Sequence, residues 1–267
     1  MSALDDLFGT LRARGRKALM PFVTAGDPDL DFTAAVLREL VRRGSSLCEV
    51  GIPYSDPIAD GPVVQASYCR ALDRGFRLAQ GLQMIADVAP GLGAPLVTMV
   101  SYATVHRWGV HRYVTEAKAA GVAGAIVPDL PVDEAGALAA ICRQADLSLI
   151  QLVTPTTPRA RALRIAELAT GFLYYVTVTG TTGERDALPP ALVDDVAWLR
   201  ARSHLPVCVG FGISQPAHAR ALAPVADGLI VGSAIVRRIA RAVDGPRDAV
   251  LREVGDFAVS LLEAMAS

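Results

Sequence analysis

The sequence predicts an α/β fold, namely a (β/α)8 TIM barrel with an extra N-terminal helix and an extra C-terminal helix. Short β-branched runs alternate with Ala/Leu/Arg-rich amphipathic segments along the whole chain. There are eight such runs, and they start roughly 30 residues apart, the length of one strand, one helix and two short loops. The predicted strands are residues 18–24, 47–51, 96–101, 124–127, 147–153, 172–176, 206–209 and 228–231.

The segments between the strands carry helical patterns, with aliphatic positions on one face and polar positions on the other. Examples are residues 32–43, 112–120, 158–169 and 192–202. Two further helices lie outside the eight units: residues 4–14 are expected to close the bottom of the barrel, and residues 246–265 to form the C-terminal helix. No linker, repeat or low-complexity segment divides the chain, so we expect a single domain over residues 1–267.

The main alternative is an open, doubly wound parallel sheet. Its dinucleotide-binding form needs a Gly-x-Gly-x-x-Gly turn after the first strand, whereas residues 24–28 read TAGDP. One feature argues against the first strand itself, because Pro21 cannot donate to a strand ladder.

Composition excludes several classes of protein. The 26 basic and 27 acidic residues give a net charge of -1, which argues against nucleic acid or an anionic membrane as the main partner. The longest uncharged stretch is broken by proline and glycine, and the first residues are acidic rather than basic, so we expect a cytoplasmic protein. The four cysteines and four histidines have no ligand spacing, so we expect reduced thiols and no metal site.

Glycine-rich turns follow the seventh and eighth predicted strands, the position where TIM barrels commonly hold a phosphate. Residues 210–214 read GFGIS and residues 232–236 read GSAIV, each opening a predicted helix whose N-terminal amides favour an anion. Residues 180–183, GTTG, would form a third side of the same site. Taken singly, each is also an ordinary strand-to-helix turn, but the two together favour a phosphate site.

The second predicted strand contains one carboxylate among apolar residues. Alternation places Glu49 on the opposite face from Cys48 and Val50. Since both faces of a parallel barrel are buried, Glu49 either lies inside the barrel mouth with a raised pKa suited to proton transfer, or pairs with a distant arginine.

The loop after this strand, residues 52–62, reads IPYSDPIADGP and is restricted by three prolines. Asp60 closes the loop and can divide acid and electrostatic roles with Glu49. Asp56, directly before Pro57, is expected to cap a helix or contact a partner rather than to take part in the chemistry.

Lysines are scarce, and their positions restrict the chemistry. Lys17 lies at the start of the first strand and Lys118 near the end of a helix, so neither is at the carboxyl end of a strand. Schiff-base aldolases are therefore disfavoured. General acid-base chemistry by carboxylates on a phosphorylated substrate remains.

Several segments resemble the tryptophan synthase alpha chain family, in order and over nearly the whole length. They are PFVTAGDP at 21–28, EVGIPYSDPIADGP at 49–62, PDLP at 128–131, TGTTG at 179–183 and GFGIS at 210–214. The resemblance implies cleavage of indole-3-glycerol phosphate to indole and glyceraldehyde 3-phosphate. It gives Glu49 the acid-base role at C3 of indole and places Asp60 on the indole N–H.

The resemblance also implies the binding residues and a partner. The substrate pocket would include Phe22, Val100, Tyr102, Ile126 and Tyr174, and the phosphate site Thr182, Gly183, Phe211, Gly212, Gly232 and Ser233. No cofactor is implied in this chain, since pyridoxal phosphate belongs to the beta chain of an alpha2-beta2 heterotetramer. Pro53 and Asp56 match the loop that faces the beta chain, and residues 179–189 match a lid.

One position departs from the family pattern: Thr104 stands where Asn is usual, which concerns coupling to the partner more than the chemistry. Three alternatives remain: a stand-alone indole-glycerol-phosphate lyase without a beta partner, a non-enzymatic regulatory subunit, and a sugar-phosphate isomerase. The intact Glu49 and Asp60 argue against the second. The third typically needs an acid after strand five, where residues 153–155 read VTP.

Overall fold

Eight parallel strands close into a barrel in chain order, and the eighth strand pairs with the first. The computed structural model describes residues 2–57, 60–176, 191–210 and 212–266. The strands are β1 (Ala18–Thr24), β2 (Cys48–Gly51), β3 (Leu96–Met99), β4 (Val122–Ile126), β5 (Ser148–Val153), β6 (Leu173–Val176), β7 (Val207–Gly210) and β8 (Gly228–Val231). The predicted TIM barrel is confirmed, and the open doubly wound sheet is wrong.

Helices surround the barrel in the pattern expected of β/α units. They are α1 (Ala3–Ala13), α2 (Leu30–Arg42), α3 (Pro62–Asp73), α4 (Leu78–Leu92), α5 (Tyr102–Trp108), α6 (Val110–Ala119), α7 (Gly136–Gln144), α8 (Arg159–Leu168), α9 (Leu192–Arg200), α10 (Pro216–Leu222), α11 (Ser233–Ala240) and α12 (Arg247–Ala266), with a 3-10 turn at Arg241–Val243. None of these helices is both long enough and apolar enough to cross a membrane.

The two extra helices lie where the sequence predicts them. Leu4, Phe8 and Leu11 of α1 are buried in the apolar cluster of the barrel interior, and the Phe8 ring packs 5.8 Å from the ring of Phe172, which precedes β6. Helix α1 therefore closes the amino-terminal end of the barrel. Helix α12 packs against α2 and α10 on the outside.

Pro21 is accommodated because β1 changes its pairing partner along its length. Residues Ala18 to Pro21 are in register with β8, and Phe22 to Thr24 are in register with β2. Pro21 thus lies at the last position paired with β8, and the ladder to β2 continues directly after it.

Alternation along the strands sorts their side chains into two clusters. Phe22 of β1 is in register with Glu49 of β2, which is in register with Val97 of β3. Phe22 and Val97 belong to the cluster inside the barrel, whereas Cys48 and Val50 belong to the cluster between barrel and helices. Because residues in register point to the same face, Glu49 points into the barrel.

Candidate active site

Glu49 is a buried carboxyl group without a hydrogen-bonding partner among the described residues. Its exposed fraction is 0%, and both carboxylate oxygens lack a hydrogen bond. Burial raises the pKa of Glu49 well above its ordinary value. No arginine among the described residues pairs with Glu49, and burial favours the protonated form of the group.

Asp60 lies on the wall of a cavity at the barrel mouth, at the end of the loop that joins β2 to α3. The Tyr54 hydroxyl donates a hydrogen bond to Asp60 Oδ2 at 3.3 Å, and the Gln65 side chain donates to the Asp60 carbonyl at 2.7 Å. Burial raises the pKa of Asp60 to about 6, and the Tyr54 hydrogen bond limits the rise. Burial thus raises the pKa of both carboxyl groups, and of the two only Asp60 receives a hydrogen bond that opposes the rise.

A small cavity of about 20 Å³ opens at the carboxyl ends of the strands and brings several predicted site residues together. Its walls are Phe22, Asp60, Val64, Met99, Tyr174, Gly212, Ile213, Gly232 and Ser233. Apolar and aromatic groups form one side, suited to a flat ring, while the backbone of the last two β/α turns forms the other.

Larger hollows lie elsewhere on the surface, but they lack these features. One, of about 650 Å³, runs between α2 and α4, and another, of about 610 Å³, lies beside Arg200 and Asp227 at the amino-terminal end of the barrel. Neither includes a residue from the carboxyl end of a strand. The smaller cavity at the barrel mouth is thus the site with convergent polar groups.

Three predicted pocket residues lie outside the lining of this cavity. Val100 belongs to the outer apolar cluster, and its neighbour Met99 reaches the cavity instead. Ile126 is in register with Met99 inside the barrel, but it does not line the cavity. Tyr102 begins α5 and packs against the outer cluster. Met99 and Val64 were missed, although period-two alternation from Val97 identifies Met99 as an inward residue.

Two glycine-containing turns form the expected anion-facing wall. Gly212, at a φ of +76°, follows β7, and Gly232 is the N-cap of α11, which begins at Ser233. The first amides of a helix have no partner within the helix and attract negative charge. Three predicted phosphate ligands, Thr182, Gly183 and Phe211, lie outside the described residues, as does the predicted lid at 179–189.

Glycines at two strand ends give room to aromatic side chains of the site. A Cβ at Gly51 would lie 2.3 Å from the Phe22 ring and 3.0 Å from the Tyr68 hydroxyl. A Cβ at Gly210 would lie 2.3 Å from the Tyr174 hydroxyl. A side chain at either position would displace these rings.

The residues expected to face a partner differ in exposure. Pro53 is buried against the barrel, whereas Asp56 is exposed at the tip of the loop. At the start of α5, the Thr104 hydroxyl lies within hydrogen-bond distance, 2.9 Å, of the Ser101 hydroxyl. The Asn-to-Thr departure thus leaves this side chain bonded to Ser101.

The lysines lie away from the cavity. Lys17 immediately precedes β1, and Lys118 on α6 is bonded to Asp146. Within the described ranges there is no group of three or more His, Cys, Asp or Glu side chains that could hold a metal ion. Of the two predicted catalytic carboxyl groups, Asp60 lines the cavity, whereas Glu49 points into the barrel and is not part of the lining.

Comparison with known proteins identifies the family of the chain. The family model for the tryptophan synthase alpha chain matches residues 8–264. The chain belongs to this family. Tryptophan synthase alpha chains from Rhodopirellula baltica and Rippkaea orientalis are 56% and 42% identical to it; alignment covers 99% of this chain in both cases, and 99% and 98% of those relatives.

Solved structures of the tryptophan synthase alpha chain family have the same barrel. The alpha subunit from Legionella pneumophila superposes with a TM-score of 0.90 at 33% identity, covering 100% of this chain and 99% of that one. A chain of tryptophan synthase from M. tuberculosis, in an aminoacrylate-bound form, superposes with a TM-score of 0.87 at 32% identity, covering 99% and 100%. Membership of the family places the chain in tryptophan biosynthesis.

Proposed function

We propose that the chain is a lyase that cleaves indole-3-glycerol phosphate to indole and glyceraldehyde 3-phosphate in a retro-aldol reaction. The observation that carries the proposal is Glu49, a carboxyl group buried inside the barrel with both oxygens free of hydrogen bonds and its pKa raised by burial. Burial favours the protonated form of such a group, and that proton can be delivered to carbon.

Protons and electrons balance in this reaction. Glu49 transfers a proton to C3 of the indole ring, which makes the ring a good leaving group. The bond between C3 and the glycerol carbon then breaks, its electron pair returns to the ring, and aromaticity is restored. The hydroxyl on that glycerol carbon gives up its proton and becomes the aldehyde oxygen. In our proposal the proton returns to Glu49, so the enzyme ends as it began.

Asp60 is assigned to the indole N–H. With a pKa of about 6 it is mostly ionised at neutral pH, and it lies on the wall of the cavity. Protonation of C3 puts positive charge on the indole ring, and a fixed carboxylate in a buried site stabilises that charge as it develops. Phe22, Met99 and Tyr174 supply the apolar surface that a flat ring needs.

The phosphate of the substrate is assigned to the wall formed by Gly212, Gly232 and Ser233. Backbone amides at the start of α11 offer hydrogen bonds to an anion without a basic side chain. The predicted ligands Thr182, Gly183 and Phe211 would complete this side.

We further propose that the chain works with a tryptophan synthase beta chain in an alpha2-beta2 heterotetramer. Neither lysine lies at the cavity, which is consistent with pyridoxal phosphate being held by the beta chain alone. The exposed Asp56 at the tip of the β2–α3 loop, together with Pro53 at its base, is assigned to the contact. The bond between Thr104 and Ser101 keeps a stand-alone lyase as the alternative.

Indole release from indole-3-glycerol phosphate, with and without purified beta chain, tests both levels of the proposal. We expect the pure chain to release indole and the beta chain to accelerate the release. Release that is unchanged by the beta chain would favour the stand-alone lyase. No release under either condition would contradict the proposed reaction.

A further inference from the structure

Tyr68 on α3 has a buried hydroxyl group without a hydrogen-bonding partner in the part of the chain that the structure describes. Its exposed fraction is 1%, and its oxygen makes no hydrogen bond. The Tyr68 ring packs 5.5 Å from the ring of Tyr54, whose hydroxyl donates to Asp60. Buried hydroxyl groups nearly always have a partner, so a buried one without a partner beside a catalytic site needs a physical reason.

The Tyr68 hydroxyl lies over the inner face of β2, the face that carries Glu49. A Cβ at Gly51 would lie 3.0 Å from this hydroxyl. Gly51 and Glu49 point to the same face, and their backbones are about 6.6 Å apart because a strand rises about 3.3 Å per residue. The Glu49 side chain is thus long enough to reach the Tyr68 hydroxyl from the β2 backbone.

The groups that face Glu49 include no cation among the described residues. Its neighbours in register are the apolar Phe22 and Val97. The Glu49 charge also acts on the acidic protons of Cys48 on its own strand, Tyr68 on α3, Tyr174 on β6 and Cys208 on β7. Asp60 lies on the wall of the cavity.

A carboxylate at position 49 therefore finds hydrogen-bond donors but no counter-charge. Tyr174 lines the cavity and faces the substrate, whereas Tyr68 lies behind the cavity wall. The Tyr68 hydroxyl is therefore the donor that remains available to Glu49 when substrate fills the cavity.

We propose that Tyr68 is a positioning residue of the site, whose hydroxyl donates a hydrogen bond to Glu49 when the carboxylate carries its charge. In the protonated state Glu49 does not require this donor, which explains why both groups lack a partner in the structure. When Glu49 gives its proton to the substrate, the hydrogen bond stabilises the resulting carboxylate without neutralising it. The role in turnover depends on the proposed function, but the hydrogen bond itself does not.

Tyr68→Phe tests the proposal, with Tyr113→Phe as the matched control. Tyr113 is equally buried, but its hydroxyl lies on the outer side of the barrel, 2.7 Å from the Thr98 hydroxyl. The readout is the carbon-13 NMR titration of side-chain carboxyl groups in glutamate-labelled protein. The Glu49 resonance is assigned as the one that Glu49→Gln lacks.

In Tyr68→Phe we expect the titration midpoint of Glu49 to rise by roughly one pH unit, because a hydrogen bond to the charged form is lost. The melting temperature should stay equal or rise, since an unpaired buried hydroxyl is removed. Tyr113→Phe should do the opposite: a lower melting temperature, since Thr98 loses its partner, and an unchanged Glu49 midpoint.

An unchanged Glu49 midpoint in Tyr68→Phe would overturn the proposal, including the case in which only Asp60 responds. An equal rise in both variants would do so as well, because it would reflect general repacking. The titration requires no turnover, so its outcome is separate from that of the indole assay. Where indole is released, the part of its pH profile that follows the ionisation of Glu49 should shift to higher pH in Tyr68→Phe and not in Tyr113→Phe.

Discussion

Asp27 and Glu49 are two buried carboxyl groups near the carboxyl ends of adjacent strands, and their surroundings are opposite. The Asp27 side chain accepts two hydrogen bonds from Arg70, at 2.8 Å from Nε and 2.7 Å from the terminal nitrogen. Among the residues that the structure describes, Glu49 has neither a cation beside it nor a hydrogen bond. Burial alone does not define a functional carboxylate: Asp27 is neutralised and ties the β1–α2 loop to α3, whereas Glu49 is left free to exchange a proton.

One helix accounts for this difference. Tyr68 and Arg70 are two positions apart on α3, and at about 100° per residue their side chains leave the helix in nearly opposite directions. Tyr68 is directed into the barrel interior and Arg70 toward the β1–α2 loop. The same turn of α3 thus supplies a cation to Asp27 and only a neutral hydroxyl to the region of Glu49.

Removing the paired carboxylate should have the largest effect on stability. Asp27→Asn leaves the Arg70 guanidinium without its counter-charge, and we expect a loss of about 2 to 3 kcal/mol in the free energy of unfolding, moderated because Arg70 is 27% exposed. Urea unfolding measures this loss. Arg70→Met combined with Asp27→Asn should cost less than the two single changes together; additive costs would show that the pair is not coupled.

Asp60 should control the acid limb of activity. Since its carboxylate stabilises positive charge on the ring and its pKa is about 6, indole release should rise as pH increases through about 6. Asp60→Asn should lower turnover by roughly 10- to 100-fold and remove this limb, because one electrostatic contact is lost. If the acid limb of the pH profile persists in Asp60→Asn, it belongs to another titratable group and the assignment to Asp60 is contradicted.

A smaller effect, and one opposite in sign to that of Asp27→Asn, is expected for the stability of Glu49→Gln. The pKa of Glu49 is raised on folding, so the folded state binds the proton more tightly and loses stability as pH rises above the ordinary glutamate range. Glu49→Gln removes this dependence, and we expect it to be about 1 kcal/mol more stable than the parent at neutral pH. The difference should shrink toward pH 4. Thermal unfolding at a series of pH values measures it, and a difference that grows toward acid pH would contradict the assignment.

Local patterns predicted most of the fold, because the barrel depends on alternation and spacing along the chain. The bounds of β1 and β8 are those predicted, and the other strands differ by one or two residues at one or both ends. Alternation also identified Glu49 as an inward residue. The prediction for Val100 did not follow alternation. Family resemblance placed Val100 in the pocket, but Val97 and Met99 point into the barrel, so Val100 points outward.

Contacts between distant segments could not be predicted in this way. Asp27 and Arg70 are 43 residues apart, and nothing in either segment shows that they meet. The same holds for Tyr68, whose significance comes from the groups missing around its hydroxyl and from the space left by Gly51. Whether Glu49 had an arginine partner was likewise a question of tertiary packing, which the sequence left open.

The most direct test of the contrast between the two carboxyl groups is indole release by Glu49→Gln and Asp27→Asn, measured side by side on folded protein. Glu49→Gln should lose at least roughly 1000-fold in turnover while still binding glycerol 3-phosphate, because the proton donor is gone and the phosphate site is intact. Asp27→Asn should keep turnover close to that of the parent chain. Near-normal indole release by Glu49→Gln would contradict the assignment of Glu49 as the group that moves the proton.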